Sequence, residues 1–316
     1  MAFVSQISIL VLSSKTIIKG VVLNAILPHK KKRISVLKNL IMLVKSYARS
    51  PLKNTEIKIK LDKTEFDVIT NKQGLFKLEL DHTLEKEPKI DICFQDKKLS
   101  IIQEYPVFFK YLNSKIDVIS DIDDTILVSY TANIIKRIGV LSLVTPLKRK
   151  TVRFTQQLLN FSNEHPCNVF YVSKSESNLF HVLYSFIKNN QLPNGILLLS
   201  PYLNFKQLLK GKKGKDFKLN NIQYLIDNSN DKKFILFGDD TQKDMEVYEI
   251  IAKTYPEKVA RIYIRQTKKH VNKRKRVLFK NLKETFPNSV YFDESTDIEL
   301  EMKHIENLIL TKNELK

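Results

Sequence analysis

Asp121, Asp123 and Asp124 place carboxylates at three of four consecutive positions, directly after the apolar residues Ile116, Val118 and Ile119 and directly before Thr125. A short apolar run of this kind reads as a buried strand, so the acids arrive at the end of a core element. Carboxylates crowded there repel one another and lose solvation unless a cation or protons offset the charge. Alternation along a strand sends Asp121 and Asp123 to one side with Ile122 between them, so both can converge on one ion or one phosphoryl group, while Asp124 points away. The competing reading is a solvated acidic turn, because Asp is common where strands end. The rest of the chain must supply the partners that decide between the two.

Downstream, apolar strands at 169–172, 196–199, 234–237 and 259–264 alternate with helical spacing over 148–162, 176–189, 217–226 and 241–253. The stretch 134–145 is amphipathic or partly irregular, and a loop of glycine and lysine occupies 210–215. This βα alternation predicts an α/β fold built on a doubly wound parallel sheet, in which ligands sit beyond the carboxyl ends of the strands. Polar residues fall at those ends. Asp121 and Asp123 close the first strand, Ser173, Lys174 and Ser175 the second, and Asp239 and Asp240 the fourth, with Asp244 one helical turn further on. In GDDTQKD, Gly238 suits a tight turn and Asp239 and Asp244 suit the surroundings of a cation. An oxygen-only set of this type favours Mg2+ with waters retained. Lys215 and Lys218 are candidate counter-charges for phosphate, against the general expectation that lysines are solvated surface residues.

Residues 1–111 read differently, as a small and mostly antiparallel β domain with one helix, and 112–316 form the α/β domain. Two β-rich runs, 4–12 and 16–27, carry Gly20 as a candidate bulge. A basic cluster from His29 to Arg33 opens a helix whose apolar face runs from Val36 to Tyr47, and Pro51 ends it. Alternation returns at Ile57, Ile59 and Leu61, at Phe66 and Val68, and, past a turn at Gly74, at Leu78 and Leu80; runs at 90–94 and 99–102 add further strands. The C-terminal part reads as a basic loop over 268–276, helix or irregular structure over 278–286, a strand at 290–292 and an amphipathic helix over 298–310 whose apolar residues include Leu300.

The formal net charge of +19 implies attraction to polyanions such as nucleic acid, anionic lipid or phosphorylated substrates, although a general enrichment in lysine, asparagine and isoleucine explains it equally well. Cys93 and Cys167 lie far apart in strand-like surroundings and read as reduced core residues rather than a disulfide framework. The six histidines show no ligand spacing, which excludes a zinc site of the usual kinds. No apolar run is long enough to span a bilayer and the N-terminal residues lack the features of a leader, so the expectation is a cytoplasmic protein able to associate peripherally with an anionic membrane.

SDIDDTI at 120–126, YVSKS at 171–175, Lys218 within FKLNNIQYLI, and FILFGDDTQKDMEVYEI followed by VARIYIRQ resemble the phosphatase domain of the actin-patch-associated phosphatidate phosphatases and their bacterial relatives. That domain belongs to the haloacid dehalogenase superfamily. The resemblance covers about 117–266, with weaker similarity at NKQGLFKLEL in the preceding domain. It implies a haloacid dehalogenase-like fold and Mg2+-dependent phosphomonoester hydrolysis, with conversion of phosphatidate to diacylglycerol as the reaction of the founding member. Carried over by residue, Asp121 is the nucleophile that forms an aspartyl-phosphate, and Asp123 is the general acid and base. Ser173 and Lys218 hold and neutralise the phosphoryl group, with Thr125, Lys174 and Ser175 beside the substrate. Asp121, the backbone carbonyl of Asp123, Asp239 and Asp244 surround Mg2+, Asp244 acting through water or by orienting Lys218. Relatives commonly read SNSPW and GDSGQ where this chain reads SKSES and GDDTQ, so Glu176 and Ser177 replace a Pro and a Trp. The loss of that aromatic weakens any transfer of lipid specificity. Three readings stand: a phosphatidate phosphatase, the same chemistry on a soluble phosphomonoester such as a nucleotide, sugar phosphate or nucleic-acid end, and a non-catalytic module that binds anionic lipid or nucleic acid.

Overall fold

The computed structural model describes residues 2–24, 49–127, 152–201 and 215–310. The helix expected with its apolar face over 36–47, the stretch 134–145 and the loop at 210–214 lie outside these residues. The described residues fall into two compact units, one within Met1–Tyr111, Ser175–Tyr184 and Leu199–Lys213 and the other within Leu112–Lys174, Ser185–Leu198 and Gly214–Lys316.

Among its described residues the first unit holds ten strands: β1 (Ala2–Val11), β2 (Thr16–Asn24), β3 (Ser50–Pro51), β4 (Glu56–Leu61), β5 (Thr64–Ile69), β6 (Leu75–Leu80), β7 (Ile90–Phe94), β8 (Lys97–Lys98), β9 (Ser100–Ile101) and β10 (Phe108–Phe109). One sheet centres on the antiparallel pair β1 and β2, with β6 and β3 antiparallel to β2 and with β9 and β10 parallel to β1. The other has the order β5-β4-β7-β8. Alternation in β4 buries Ile57, Ile59 and Leu61 and leaves the intervening lysines partly exposed, so its apolar face joins Val4, Ile9, Ile18, Val22 and Phe76 in one core. The bulge lies in β1 and not at Gly20: register shifts between Ser5 and Ser8, where Gln6 takes a φ of 58°. Gly20 is opposite this irregularity, and a Cβ there would come within 2.7 Å of the Phe76 ring, so close approach explains the glycine. Gly74, with φ 71°, does turn the chain between β5 and β6, but the two strands enter different sheets.

The second unit carries a sheet of order β13-β12-β11-β14-β15-β16, made of β11 (Ile116–Ser120), β12 (Val169–Glu176), β13 (Ile196–Ser200), β14 (Lys233–Asp239), β15 (Val259–Arg265) and β16 (Ser289–Phe292). Pairings of β11 with β12 and β14, of β14 with β15 and of β15 with β16 are parallel. The helices are α1 (Arg153–Glu164), α2 (Phe180–Asn189), α3 (Lys215–Asp227), α4 (Asp244–Thr254), α5 (Lys273–Thr285) and α6 (Ile298–Leu310). The fold is thus mixed α/β, with a largely parallel sheet in one unit and mainly antiparallel pairing in the other. Strand order grows from β11 to β13 on one side, then restarts at β14 and grows to β16 on the other. The reversal between β11 and β14 is the point where such sheets open a crevice. All five residues of β11 are buried, as a central strand requires.

Three local features depart from the sequence pattern. β12 runs on through Ser173, Lys174 and Ser175, which therefore lie within the strand and not past its end. The basic segment expected as a loop is helical from Lys273 onward. In α6, Leu300 is 50% exposed while Glu301 is buried, because Arg261 Nε and the Tyr263 hydroxyl on β15 each donate to Glu301 Oε2 at 2.8 Å. Asp117, inside β11, is likewise buried and paired: Lys232 Nζ is 3.7 Å away and the Ser114 hydroxyl donates to it at 2.7 Å.

Candidate active site

The carboxyl ends of β11 and β14 lie side by side, since the Asp121 amide donates to the Phe237 carbonyl at 2.8 Å. The chain then turns back on itself. Amides of Ile126 and Leu127 donate to the Ile122 carbonyl, the Asp124 amide donates to the Leu127 carbonyl, and Asp124 takes a φ of 60° that its short polar side chain tolerates. This turn buries Asp121, Asp123, Asp124 and Thr125. Across the crevice, β14 delivers Asp239, and Asp244 opens α4. Gly238 permits the approach, because a Cβ there would lie 2.7 Å from Asp244 Cβ and Oδ2.

Asp121, Asp239 and Asp244 each present a carboxylate oxygen within 4.8 Å of the others, and all three side chains are buried. Lys218, on α3 and 1% exposed, points among them with Nζ 3.0 Å from Asp121 Oδ1 and 2.5 Å from Asp244 Oδ1. All but one of the remaining oxygens are held by individual donors. Asp121 Oδ2 accepts from Thr125 Oγ1 at 3.3 Å and from Gln242 Nε2 at 3.2 Å. Asp239 Oδ1 accepts from the amide and hydroxyl of Thr241 and from the Gln242 amide at 3.1 Å. Asp244 Oδ2 accepts from the Asp239 amide at 3.2 Å. Asp239 Oδ2 is buried without a hydrogen-bond partner among the described residues.

These contacts set the electrostatics. Burial pushes the Asp121 carboxyl well above the usual range; Lys218 opposes this, and Asp244, Asp239 and Asp123 add to it. Burial, then Asp244, raises Asp239 to about 7. Burial by itself would lower the Lys218 ammonium, but Asp121, Asp244 and Asp239 outweigh it and drive it upward. A pocket with more carboxylates than cations is short of positive charge, and an orphaned buried oxygen points to where that charge belongs. The donors are oxygen only, so the residues fit a hard divalent cation such as Mg2+.

Of the residues singled out by sequence, the structure brings together Asp121, Lys218, Asp239, Asp244 and Thr125. The Asp123 side chain is not in the acidic triad; its Oδ2 accepts from Ser173 Oγ at 3.2 Å, and together they form a second polar pair at the end of the sheet. Lys174 is half-buried with its ammonium pKa lowered, first by burial and then by Lys218. Ser175 is buried, and its carbonyl accepts from the Ser200 hydroxyl at 3.2 Å. Gln242 was not anticipated. It binds Asp121 through its side chain and Asp239 through its amide, and the signal was its place in GDDTQKD, three residues after Asp239 in a turn that must supply donors.

Buried carboxylates and a lysine at the switch point of an α/β sheet are the parts of a phosphoryl-transfer enzyme. Residues 116–266 match the family described as phosphatidate phosphatase APP1, catalytic domain. An uncharacterized protein of Schizosaccharomyces pombe is 28% identical over 242 residues, which are 72% of this chain and 38% of that protein. The chain therefore spans well under half of the curated relative it matches. A class C acid phosphatase from Bacillus anthracis with tungstate bound has a TM-score of 0.31 at 13% identity, covering 58% of this chain and 82% of its own. A carbohydrate acetylesterase from Xanthomonas citri reaches 0.33 at 11% identity, covering 95% and 71%. Neither structural likeness is close enough to bear on fold or activity.

Proposed function

We propose that the chain is a Mg2+-dependent phosphomonoester hydrolase with a haloacid dehalogenase-like catalytic domain at 112–316 and a separate β-rich domain at 1–111, and that it acts on phosphatidate to give diacylglycerol. The observation that carries this is the convergence of Asp121, Asp239, Asp244 and Lys218 in one buried pocket within the segment that matches the phosphatase family.

An Asp121 carboxylate oxygen attacks phosphorus, the ester P–O bond breaks, and its electron pair leaves with the alkoxide oxygen. Asp123, entering in its acid form and held by Ser173, gives that oxygen its proton. The product of this half is an aspartyl-phosphate on Asp121. Asp123, now a carboxylate, takes a proton from water as the water oxygen attacks phosphorus, which releases inorganic phosphate and restores Asp121. Thr125 and Gln242 keep Asp121 Oδ2 oriented throughout, and Lys218 keeps the nucleophile ionised and meets the charge of the transferring group. Asp121, Asp239 and Asp244 would hold the cation, with the Asp123 carbonyl as a further donor. When bound, it supplies positive charge against the phosphoryl oxygens. Lys174 and Ser175 are assigned to the substrate side.

No helix among the described residues is long and apolar enough to cross a membrane. A phosphatidate reading thus requires the enzyme to meet its substrate at the bilayer surface, which the large positive charge favours. Phosphate release from phosphatidate in detergent micelles, compared with soluble nucleotide and sugar monophosphates, in Mg2+ and in EDTA, tests the proposal. Mg2+-dependent preference for phosphatidate supports it, and preference for a soluble monoester rejects the lipid substrate.

A further inference from the structure

One edge of the second unit carries a feature that the chemistry does not use. A cleft of about 560 Å³ opens between the segment after β15 and α5, with Lys269, His270, Arg276, Lys280 and Lys283 among its lining and the stacked rings of Phe279 and Tyr291, 4.8 Å apart, as its apolar part. Residues 268–283 contain eight Lys and Arg and no Asp or Glu, whereas the whole chain has 53 to 34, so compositional bias does not account for the patch; one acid, Glu284, also lines the cleft and pairs with Lys280 at 3.6 Å. Lys268, Lys269, Lys273 and Arg276 form no ion pair with a described residue, and Val277, among the charges of α5, is 48% exposed. Arg276, Lys280 and Lys283 share one helical face by their spacing.

The cleft is also anchored next to the acidic pocket. Asp240, the residue after Asp239, accepts from Tyr291 at 2.6 Å and pairs with Lys275 at 2.9 Å; its Oδ1 also accepts from the Thr267 amide at 3.2 Å. Through these contacts Asp240 ties α5 and β16 to the end of β14. Gln266 Nε2 donates to the carbonyls of Lys268 and Lys269 at 2.9 and 3.2 Å and shapes the other wall.

We propose that this cleft and α5 form a docking surface for anionic phospholipid. A phosphate headgroup enters between Lys269, Arg276 and Lys280, and Val277 meets the bilayer surface. A basic helix with an exposed apolar residue has the chemistry of an interfacial contact, and its position beside Asp239 would hold the pocket at the membrane. The inference deepens the phosphatidate reading and rests on it for its purpose, but its test does not depend on hydrolysis. The full chain is sedimented with phosphatidylcholine vesicles with and without phosphatidylserine, a phosphodiester lipid, and the triple variant Lys269→Glu, Arg276→Glu, Lys280→Glu is compared with wild type. Each basic residue near such a surface contributes about fivefold to partitioning, so binding to the phosphatidylserine vesicles should fall at least about a hundredfold at low salt. Val277→Asp, which adds no cation loss, should weaken it further in the same direction. Circular dichroism confirms that the variants fold. Vesicle binding that is absent in wild type, or unchanged in the triple variant, overturns the proposal. So does displacement of vesicles by RNA at lower concentration than by lipid, which would make the cleft a nucleic-acid site. Loss of phosphatidate turnover with intact docking would instead sink the substrate and leave the surface standing.

Discussion

Replacing Lys218 by Met probes the charge balance of the pocket while keeping much of the side-chain volume. Lys218 Nζ is 2.5 Å from Asp244 Oδ1 and 3.0 Å from Asp121 Oδ1, and the residue is sealed from solvent. Deleting one partner of a buried charge cluster leaves uncompensated charge, at a cost of about 3–5 kcal/mol. The carboxylates can relieve part of this by taking up protons, which makes the penalty depend on pH. An Asp whose folded pKa lies above its unfolded value of about 3.9 stays protonated while the unfolded chain ionises, so stability falls as pH rises from about 4 through the folded pKa. Asp239 already stands at about 7 and Asp121 is raised, and Lys218 lowers both, so its removal moves both further up. In EDTA, urea unfolding should show a small loss for Lys218→Met at acid pH and a loss of several kcal/mol once the pH passes 7, with Mg2+ restoring part of it. Turnover with saturating Mg2+ should fall by about two to three orders of magnitude, the scale for losing one preorganised electrostatic contact. Equal stability of variant and wild type at alkaline pH in EDTA would refute the claim that Lys218 neutralises the acids.

Gln242→Ala removes the side-chain contact to Asp121 Oδ2 and should lower turnover about tenfold while costing about 1 kcal/mol of stability, read from kinetics and urea unfolding together. Gly238→Ala forces a Cβ to within 2.7 Å of Asp244, so calorimetry should show weakened Mg2+ binding and unfolding should show a loss of about 1–3 kcal/mol. Lys232→Met strands the Asp117 carboxylate inside β11 and should destabilise by about 3–5 kcal/mol without changing the affinity for Mg2+, since it breaks a pair away from the acidic pocket.

Much of the catalytic unit was legible because strands and their polar ends announce themselves locally. Ile116 to Ser120 is apolar enough to be a central strand, and GDDTQKD needs a glycine where Asp244 closes in. The same local logic placed Lys218 on a helix before β14, although only the fold could show it reaching both Asp121 and Asp244. What stayed hidden depends on partners distant in sequence. The Asp123 side chain goes to Ser173 and leaves the triad to Asp121, Asp239 and Asp244, since the turn after β11 ends strict alternation. Glu301 is buried because Arg261 and Tyr263 on another element demand an acceptor, so hydrophobic spacing misplaced Leu300 on α6, although Ile305 is buried as its spacing suggests. The β1 bulge opposite Gly20 escaped notice because a bulge is a property of the pair, and the glycine marks only one side of it.

The proposed mechanism centres on a covalent step at Asp121, which would leave a chemical trace. Rapid quenching of the enzyme with Mg2+ and a turned-over phosphomonoester, followed by borohydride reduction and mass spectrometry, should find homoserine at position 121 and nowhere else, and none in Asp121→Asn. Undiminished turnover by Asp121→Asn, or reduction at another carboxylate, would contradict the assignment of the nucleophile.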